Sequence, residues 1–371
     1  MDEILKIYIA KANTPESEAY ATLSLPTEPF AFFDALDKAR IMQDDTIYFE
    51  VEDYFAFEFM EPFITDSDNL LELNALCQKL SKLDDMQEAA FEGLLKMEIA
   101  KKDDPISVGR LIDLAYSTDC CHVVGEATDD ESLGRFYAEN GFIPAVENLP
   151  ESVFKMLDFS YIGKEMRTGE GGVFTGHGYV VQHTELIEAY KDMHLTMRTP
   201  DYQILLEDMA GNRFELPRQN PQSKGEYACV DCRIPQLMSV IDAASIDEIS
   251  DFAEMLKDMG DRSMLKYKSI LHATGCDSLE DAVTLANHLE EYMLDYTVRS
   301  LAELAKSEVE FLLGGNDAEL LTQYLNLYEY GMALMERDGS VITNYGLLKR
   351  EDHQPMRAPL EQKQNMSMEM K

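Results

Sequence analysis

Residues Glu72–Leu95 read ELNALCQKLSKLDDMQEAAFEGLL, and shifted by 176 positions they lie without a gap on Glu248–Leu271, EISDFAEMLKDMGDRSMLKYKSIL. Apolar residues coincide at Leu73/Ile249, Leu76/Phe252, Leu80/Leu256, Leu83/Met259, Phe91/Tyr267, Leu94/Ile270 and Leu95/Leu271; an acid is shared at Asp85/Asp261, and Ala90/Lys266 breaks the pattern. Both stretches have the rhythm of a helical hairpin, but any two amphipathic helices share a 3.6-residue apolar period. A second match therefore carries more weight. Leu157–Val180, LDFSYIGKEMRTGEGGVFTGHGYV, lies on Leu325–Leu348, LNLYEYGMALMERDGSVITNYGLL, at a shift of 168, with Gly163/Gly331, Gly171/Gly339, Val173/Val341, Thr175/Thr343 and Gly178/Gly346 identical. Shared glycines constrain backbone shape more than shared leucines do. The sequence thus predicts two tandem copies of one unit of roughly 170 residues, far longer than a solenoid repeat.

A chain of 371 residues can bury several cores. Its 32 Lys and Arg against 70 Asp and Glu give a net charge of −38, yet 45% of it is hydrophobic. That apolar content is too high for a disordered acidic tail, so the charge belongs to a folded surface, which repels nucleic acid and anionic membranes and suits a basic partner. No run of 18 apolar residues occurs, and the start, MDEILKIYIAKA, has no basic segment ahead of an apolar core, so a soluble, cytoplasmic protein is expected. Six cysteines in so long a chain, with Cys120 and Cys121 adjacent, do not form the pattern of a disulfide framework.

In chain order, Leu5, Ile7 and Ile9, then Ala21, Leu23 and Leu25, then Ile47, Phe49 and Val51 alternate with other residues as half-buried strands. Between them, Thr27 is placed to cap a helix with Phe32, Phe33, Leu36 and Ala39 facing inward. Asp68 is placed to cap the next helix, with Leu73, Leu76, Leu80 and Leu83 as its stripe, and Asp84 with Gln87 resembles a capping box for the one after. A helix follows from near Pro105 to Tyr116, another from Pro150 to Met166, and a strand or hairpin from Val173 to Val181; residues 183–192 connect the copies. The second copy opens with a hairpin, 203–206 with 213–216, and a short run at 227–230, with no counterpart of the Phe30–Arg40 helix; further helices start near Ile246, Ser263, Ser278 and Ser300. Expected domains are 1–66 (β-β-α-β), 67–120 (helical), 121–184 (α/β), 185–245 (linker and hairpin), 246–350 (helical and terminal parts of the second copy) and 351–371 (a disordered tail). The class is α+β, with small antiparallel sheet pieces and helical bundle segments in each unit.

From Gln43 through Asn69 there is no Lys or Arg, while Asp44, Asp45, Glu50, Glu52, Asp53, Glu58, Glu61, Asp66 and Asp68 are acidic. Glu50 and Glu52 leave one face of a strand roughly 6.6 Å apart, where like charges destabilise a sheet. Stability alone would intersperse lysines, so the run is either a solubilising face or a binding surface. Further candidates are Asp84, Asp85 and Glu88 in the helical segment and Asp119, Glu126, Asp129, Asp130 and Glu131 beyond it, the last three suited to a helix N-terminus.

With these stretches laid out, residues 5–182 resemble the ArdA antirestriction proteins. The likeness lies in IYIA at 7–10, ELN at 72–74 leading into LSKLDDMQEAAFEGLL, STDC at 117–120, FYAENG at 136–141 and LPESVFKMLDFSYIGKEM at 149–166, in that order and spacing. The resemblance implies an elongated, multi-domain fold and a protein that presents carboxylates in the pattern of DNA phosphates, blocking the DNA-binding cleft of type I restriction–modification enzymes. It implies no catalysis and no cofactor. This chain is about twice the length of such a protein, and the doubling suggests either a homodimer or a pseudo-dimer within one chain. The charge agrees independently: duplex DNA carries one negative charge per ~1.7 Å of axis, so 38 net charges correspond to roughly 65 Å of duplex.

Three other readings compete. Cys229 and Cys232 form a C-x-x-C, and His272 with Cys276 would complete a four-ligand metal set; the bland reading is buried thiols and a surface histidine. Enzyme motifs are missing: there is no G-x-S-x-G or H-E-x-x-H, and the glycines of 169–178 match no phosphate loop. The third is an acidic interaction module or an inhibitor of another DNA-binding protein, such as a CRISPR or conjugation component, which sequence does not separate from antirestriction.

Overall fold

The computed structural model describes residues 2–14, 18–42, 44–66, 69–101, 105–146, 148–196, 198–219, 221, 225–352 and 354–356. Asp68, parts of the loop after Leu216 and most of the 351–371 segment lie outside the described residues.

The chain is α+β. It opens with β1 (Leu5–Lys11), β2 (Tyr20–Leu25), helix α1 (Pro29–Lys38) and β3 (Ile47–Asp53), the strands forming a sheet of order β2–β1–β3. Leu5, Ile7 and Ile9 are buried as their alternation requires. Next come α2 (Leu70–Leu80), α3 (Asp85–Lys101), α4 (Val108–Tyr116), β4 (Cys121–Val124), α5 (Asp130–Glu139), α6 (Glu151–Phe154), α7 (Phe159–Glu170), β5 (Val173–Thr175) and β6 (Gly178–Gln182), with sheet order β4–β6–β5. The sheet β8–β7–β9 is built from β7 (Ile204–Asp208), β8 (Arg213–Leu216) and β9 (Tyr227–Cys232). The last part holds α8 (Met238–Asp242), α9 (Ile246–Lys257), α10 (Asp261–Thr274), α11 (Leu279–Ala286), β10 (Tyr292–Asp295), α12 (Leu301–Leu313), α13 (Gly315–Thr322), α14 (Leu327–Asp338), β11 (Val341–Thr343) and β12 (Gly346–Arg350), with sheet order β10–β12–β11.

Two compact units emerge. Unit 1 holds 1–7, 24–27 and 50–197; unit 2 holds 8–23, 28–49 and 198–371. The expected 1–66 domain is therefore shared out, and the division runs through the strands of the first sheet.

In unit 1, Leu73, Leu76 and Leu80 are buried on α2, whereas Leu83 lies in the turn beyond it and is half-buried. Asn69 caps this helix, its side chain accepting from Leu71 N at 2.8 Å. Thr27 instead pairs with Asn74, donating its N–H to Oδ1 at 2.8 Å. Asp84 and Gln87 do form a reciprocal box at the start of α3. The segment expected as one helix over 150–166 is two, because the chain breaks after Phe154 and Asp158 caps α7 afresh. α5 and α7 cross so closely that a Cβ on Gly134 would strike Phe159 O, and one on Gly163 would strike Asp130 O. Residues 183–192, expected as a connector, strap across unit 1: Ile187 N donates to Ser117 Oγ, Tyr190 N to Asp113 Oδ1 and Tyr190 OH to Glu72 Oε1.

Unit 2 has its main core between the β7–β9 sheet and α9–α11, with Ile204, Phe252, Leu256, Tyr267, Ile270 and Tyr292 buried together. Lys266, where the sequence pattern breaks, reaches past the core to donate its Nζ to Leu289 O and Tyr292 O at 3.1 and 2.8 Å. Helix α1 belongs here. Phe30 meets Tyr202 edge-on, and Phe30 N donates to Asp231 Oδ2. The helix turns differently from expectation: Phe30, Phe32, Asp34 and Ala35 are buried, Phe33 and Leu36 only half so, and Glu28 stands at its N-cap with its carboxylate accepting from Arg213 Nη2 at 3.2 Å instead of capping the helix. Unit 2 thus takes its early helix from residues 28–49.

From α2 to β6 and from α9 to β12 the elements follow one order, three helices, a strand, three helices and a two-stranded hairpin. Within each hairpin the local bonding matches. Thr175 Oγ1 donates to Gly178 O and accepts from His177 N; Thr343 Oγ1 donates to Gly346 O and accepts from Tyr345 N. Gly171 and Gly339 both end their helices at positive φ, 71° and 61°, which glycine adopts without a Cβ clash.

Candidate partner-binding surface

The counter-charges found for the expected acids come from strand β1, from helix α7 and from α5 itself. In unit 2, Asp44 is exposed and Asp45 is half-buried, 2.7 Å from Lys11 Nζ. The Lys11 hydrogen bond holds the Asp45 carboxyl below the usual carboxylate range. In unit 1, Glu50 and Glu52 do project from one face of β3, with Lys6 Nζ 3.1 Å from Glu52. Asp53 Oδ1 accepts from Phe55 N at 2.8 Å, a bond that accompanies the positive φ of Phe55, 46°. Glu61 and Asp66 are exposed.

Two depressions in unit 1 gather acids that sequence alone could not pair. The first, about 310 Å³, is lined by Phe55, Phe59, Glu58, Glu88, Glu92 and His177. Partial burial, then the charge of Asp85, pushes the Glu88 carboxyl up. The second, about 290 Å³, is lined by Glu126, Asp129, Glu131, Glu139, Arg135 and Phe136. Here Asp129 caps α5, accepting from Ser132 N at 2.8 Å, and that bond draws its pKa down. Glu139, at the last residue of α5, was not singled out from sequence.

Two more of the chosen acids are held by arginines. Asp130 is half-buried and receives Arg167 bidentately, Nε at 2.8 Å and Nη2 at 3.0 Å, which holds its pKa down. Glu131 lies 3.5 Å from Arg135 one turn along α5. Asp84 is exposed while capping α3, Asp85 is exposed in its first turn, and Asp119 Oδ1 accepts from Gln87 Nε2 at 2.9 Å. Among the described residues, no Lys or Arg forms an ion pair with Glu58, Glu61, Asp84, Asp85, Glu88, Asp119, Glu126 or Asp129. By sequence, unit 1 holds 32 Asp and Glu against 12 Lys and Arg, a net charge of −20.

The four residues of the alternative metal set do not converge. Cys229 and Cys232 are buried in the unit 2 core, Cys276 Sγ lies 3.0 Å from Ser278 O, and His272 stands edge-on to Tyr345. Among the described residues no group of three or more His, Cys, Asp or Glu is placed to hold a metal ion. Between the two thiols sits a group the sequence reading missed. Asp231 is fully buried and accepts from Tyr202 OH, Phe30 N and Cys232 N at 2.8, 3.1 and 3.0 Å. Burial outweighs these three donors and pushes its pKa up to about 6. Among the described residues, no helix is long and apolar enough to cross a membrane. Comparison with models of protein families finds no match, and neither does comparison with characterised proteins.

Proposed function

We propose that the protein is an antirestriction protein that inhibits a type I restriction–modification enzyme by occupying its basic DNA-binding cleft. It binds that partner and not nucleic acid itself, needs no cofactor, performs no catalysis and acts in the cytoplasm. The observation that carries the reading is the set of carboxylates on unit 1, from Glu58 to Asp129, that have no Lys or Arg ion-pair partner among the described residues, all of them exposed but the half-buried Glu88. Two of these carboxylates are fixed as helix caps, Asp84 at α3 and Asp129 at α5, and the set offers a basic cleft a replacement for DNA phosphates. Much of duplex affinity is sequence-independent and electrostatic, which lets an acidic protein compete without imitating bases. The recurring order of elements supports reading the chain as a doubled unit of this kind, a pseudo-dimer in one chain.

The test is competition between this protein and duplex DNA for a purified type I enzyme, read as duplex displacement and loss of cleavage. The wild-type chain is expected to inhibit at equimolar amounts or modest excess. Replacing Glu58, Glu61, Asp84, Asp85, Glu88, Asp119, Glu126 and Asp129 together by Gln or Asn is expected to weaken inhibition at least ~100-fold with an unchanged melting profile. Single replacements should shift it by about threefold or less, since an exposed charge contributes little alone. Equal potency of the folded multiple variant would overturn the reading, and no inhibition by the wild-type chain would favour another basic DNA-binding target.

A further inference from the structure

Unit 2 buries a cation that finds too few acceptors. Arg299, immediately before the N-cap of α12, is 7% exposed, and its Nη2 donates to Asp37 O near the end of α1 at 3.1 Å. Its Nε and Nη1 are buried and, among the described residues, have no acceptor. Arg40 Nη2 lies 3.1 Å from Glu303 Oε2, and its Nε too is buried without an acceptor among the described residues. Buried donors in native proteins are almost always met, charged ones above all, because each has given up its water. Arg40 also stands just beyond α1 at φ 54°, a left-handed conformation that suits glycine, so what the position gains is the guanidinium.

Charge points the same way. Lys38, Arg40, Lys268 and Arg299 are linked through Asp34, Asp37 and Glu303, four cations against three carboxylates, while burial and then Lys38 hold His272 below its usual pKa and so neutral at pH 7. In a chain of net charge −38, this cluster is left with a positive charge in excess. Burial and then the Arg40 charge draw the Arg299 pKa down to about 10, which leaves it cationic at neutral pH. The gap between the arginines is held for now by Glu303, whose Oε2 accepts from Arg40 Nη2 and from Arg299 N. Its side chain is 38% exposed and free to swing into solvent. Three unmet N–H-bearing nitrogens and a surplus charge ask for an acceptor with several oxygens, and the planar guanidinium fork matches an oxyanion better than a single water or halide. We infer that Arg40 and Arg299 form a binding site for a small oxyanion of phosphate or sulfate type, which enters by displacing the Glu303 carboxylate and ties α1 to the start of α12. The inference is independent of the antirestriction reading, since none of these residues belongs to the surface proposed to meet the enzyme.

Phosphorus NMR of inorganic phosphate titrated with the full chain decides it, read as saturable line broadening in about 0.1 M sodium chloride, where a halide site would already be filled. The wild-type protein is expected to bind phosphate with a dissociation constant of about 1 mM or tighter, and sulfate to compete for the same site. Bound phosphate should also raise the melting temperature, because it binds only the folded chain. Arg299→Gln should weaken binding at least about tenfold, and so should Arg40→Gln, which alters a partly exposed side chain and keeps the test open if the buried variant fails to fold. Glu303→Gln removes the competing charge but keeps an acceptor, and should tighten binding about threefold or more. Glu329→Gln, the same change at an exposed acid of α14, should leave it unaltered. Absence of saturable binding up to about 20 mM phosphate would make water the acceptor and overturn the site. Wild-type affinity in a folded arginine variant, or a Glu303→Gln chain that binds no tighter than Glu329→Gln, would overturn it equally.

Discussion

Asp34 is an acid hidden inside unit 2, where helix α1 meets α10 and the β11–β12 hairpin. Lys268 Nζ lies 2.7 Å from Asp34 Oδ1 and 2.9 Å from Asp37, Lys38 Nζ lies 2.8 Å from Asp34 Oδ2, and Tyr345 OH donates to Asp34 at 3.0 Å. Burial works against ionisation of both partners, yet Lys268 and Lys38 hold Asp34 below the usual carboxylate range while Asp34 and Asp37 hold Lys268 above its own. Because folding depresses the Asp34 pKa, its contribution is present above pH ~4 and is lost as pH falls through the folded value. Lys268→Met leaves the buried Asp34 with only Lys38 and Tyr345 as partners and is expected to cost about 3 kcal/mol in urea unfolding of unit 2; Asp34→Leu added to it should recover part of that loss. Asp231 has the opposite sign. Folding raises its pKa to about 6, so the folded state keeps a proton that the unfolded chain gives up, and stability falls as pH climbs from about 4 to about 6. Carbon-detected titration of its side-chain carboxyl should show a midpoint near 6, and a midpoint near 4 would show the three donors to be stronger than burial.

At the scale of elements, the hairpins that end each unit turn on glycines that other residues cannot replace. Gly178 has φ 127° and Gly346 φ 146°, and a Cβ on either would strike the carbonyl of Val124 or Asp295 on the neighbouring strand. Gly346→Ala and Gly178→Ala are each expected to cost about 2 kcal/mol or more, read as a fall in the melting temperature. These positions were legible from sequence, because identical glycines at fixed spacing mark identical turns. Short β4 and β10 were not legible. Each has four residues and pairs only with the strand that closes its hairpin, β6 or β12, which lies more than fifty residues downstream. The break between α6 and α7 was hidden too, since Pro150–Met166 keeps a helical apolar rhythm across it. It became visible only when Asp158 was seen accepting from Tyr161 N.

For the whole molecule, the lesson lies in where counter-charges come from. Residues 43–69 carry no base, yet Lys11 answers Asp45 and Lys6 answers Glu52, because β1 lies beside β3 in the sheet. Absence of lysine along the chain is therefore not absence in space, and the unpaired acids are fewer than the run suggested. Unit 2 likewise depends on a segment far from it in sequence. A chain lacking residues 1–49 is expected to lose hydrogen-exchange protection in α10 and β12, since Lys268 and Tyr345 would lose Asp34 and Tyr202 would lose Phe30; unchanged protection there would show the segment to be dispensable.

The sequence by itself determined the α+β class, the strand alternation, most helix starts and the excess of acid, because these follow from local periodicity, capping chemistry and composition. Only the tertiary structure decided which unit each element joins, which acids are paired and which stand free. Those outcomes depend on contacts between residues hundreds of positions apart, such as Asp34 with Lys268, and no local pattern encodes the partner of a buried charge.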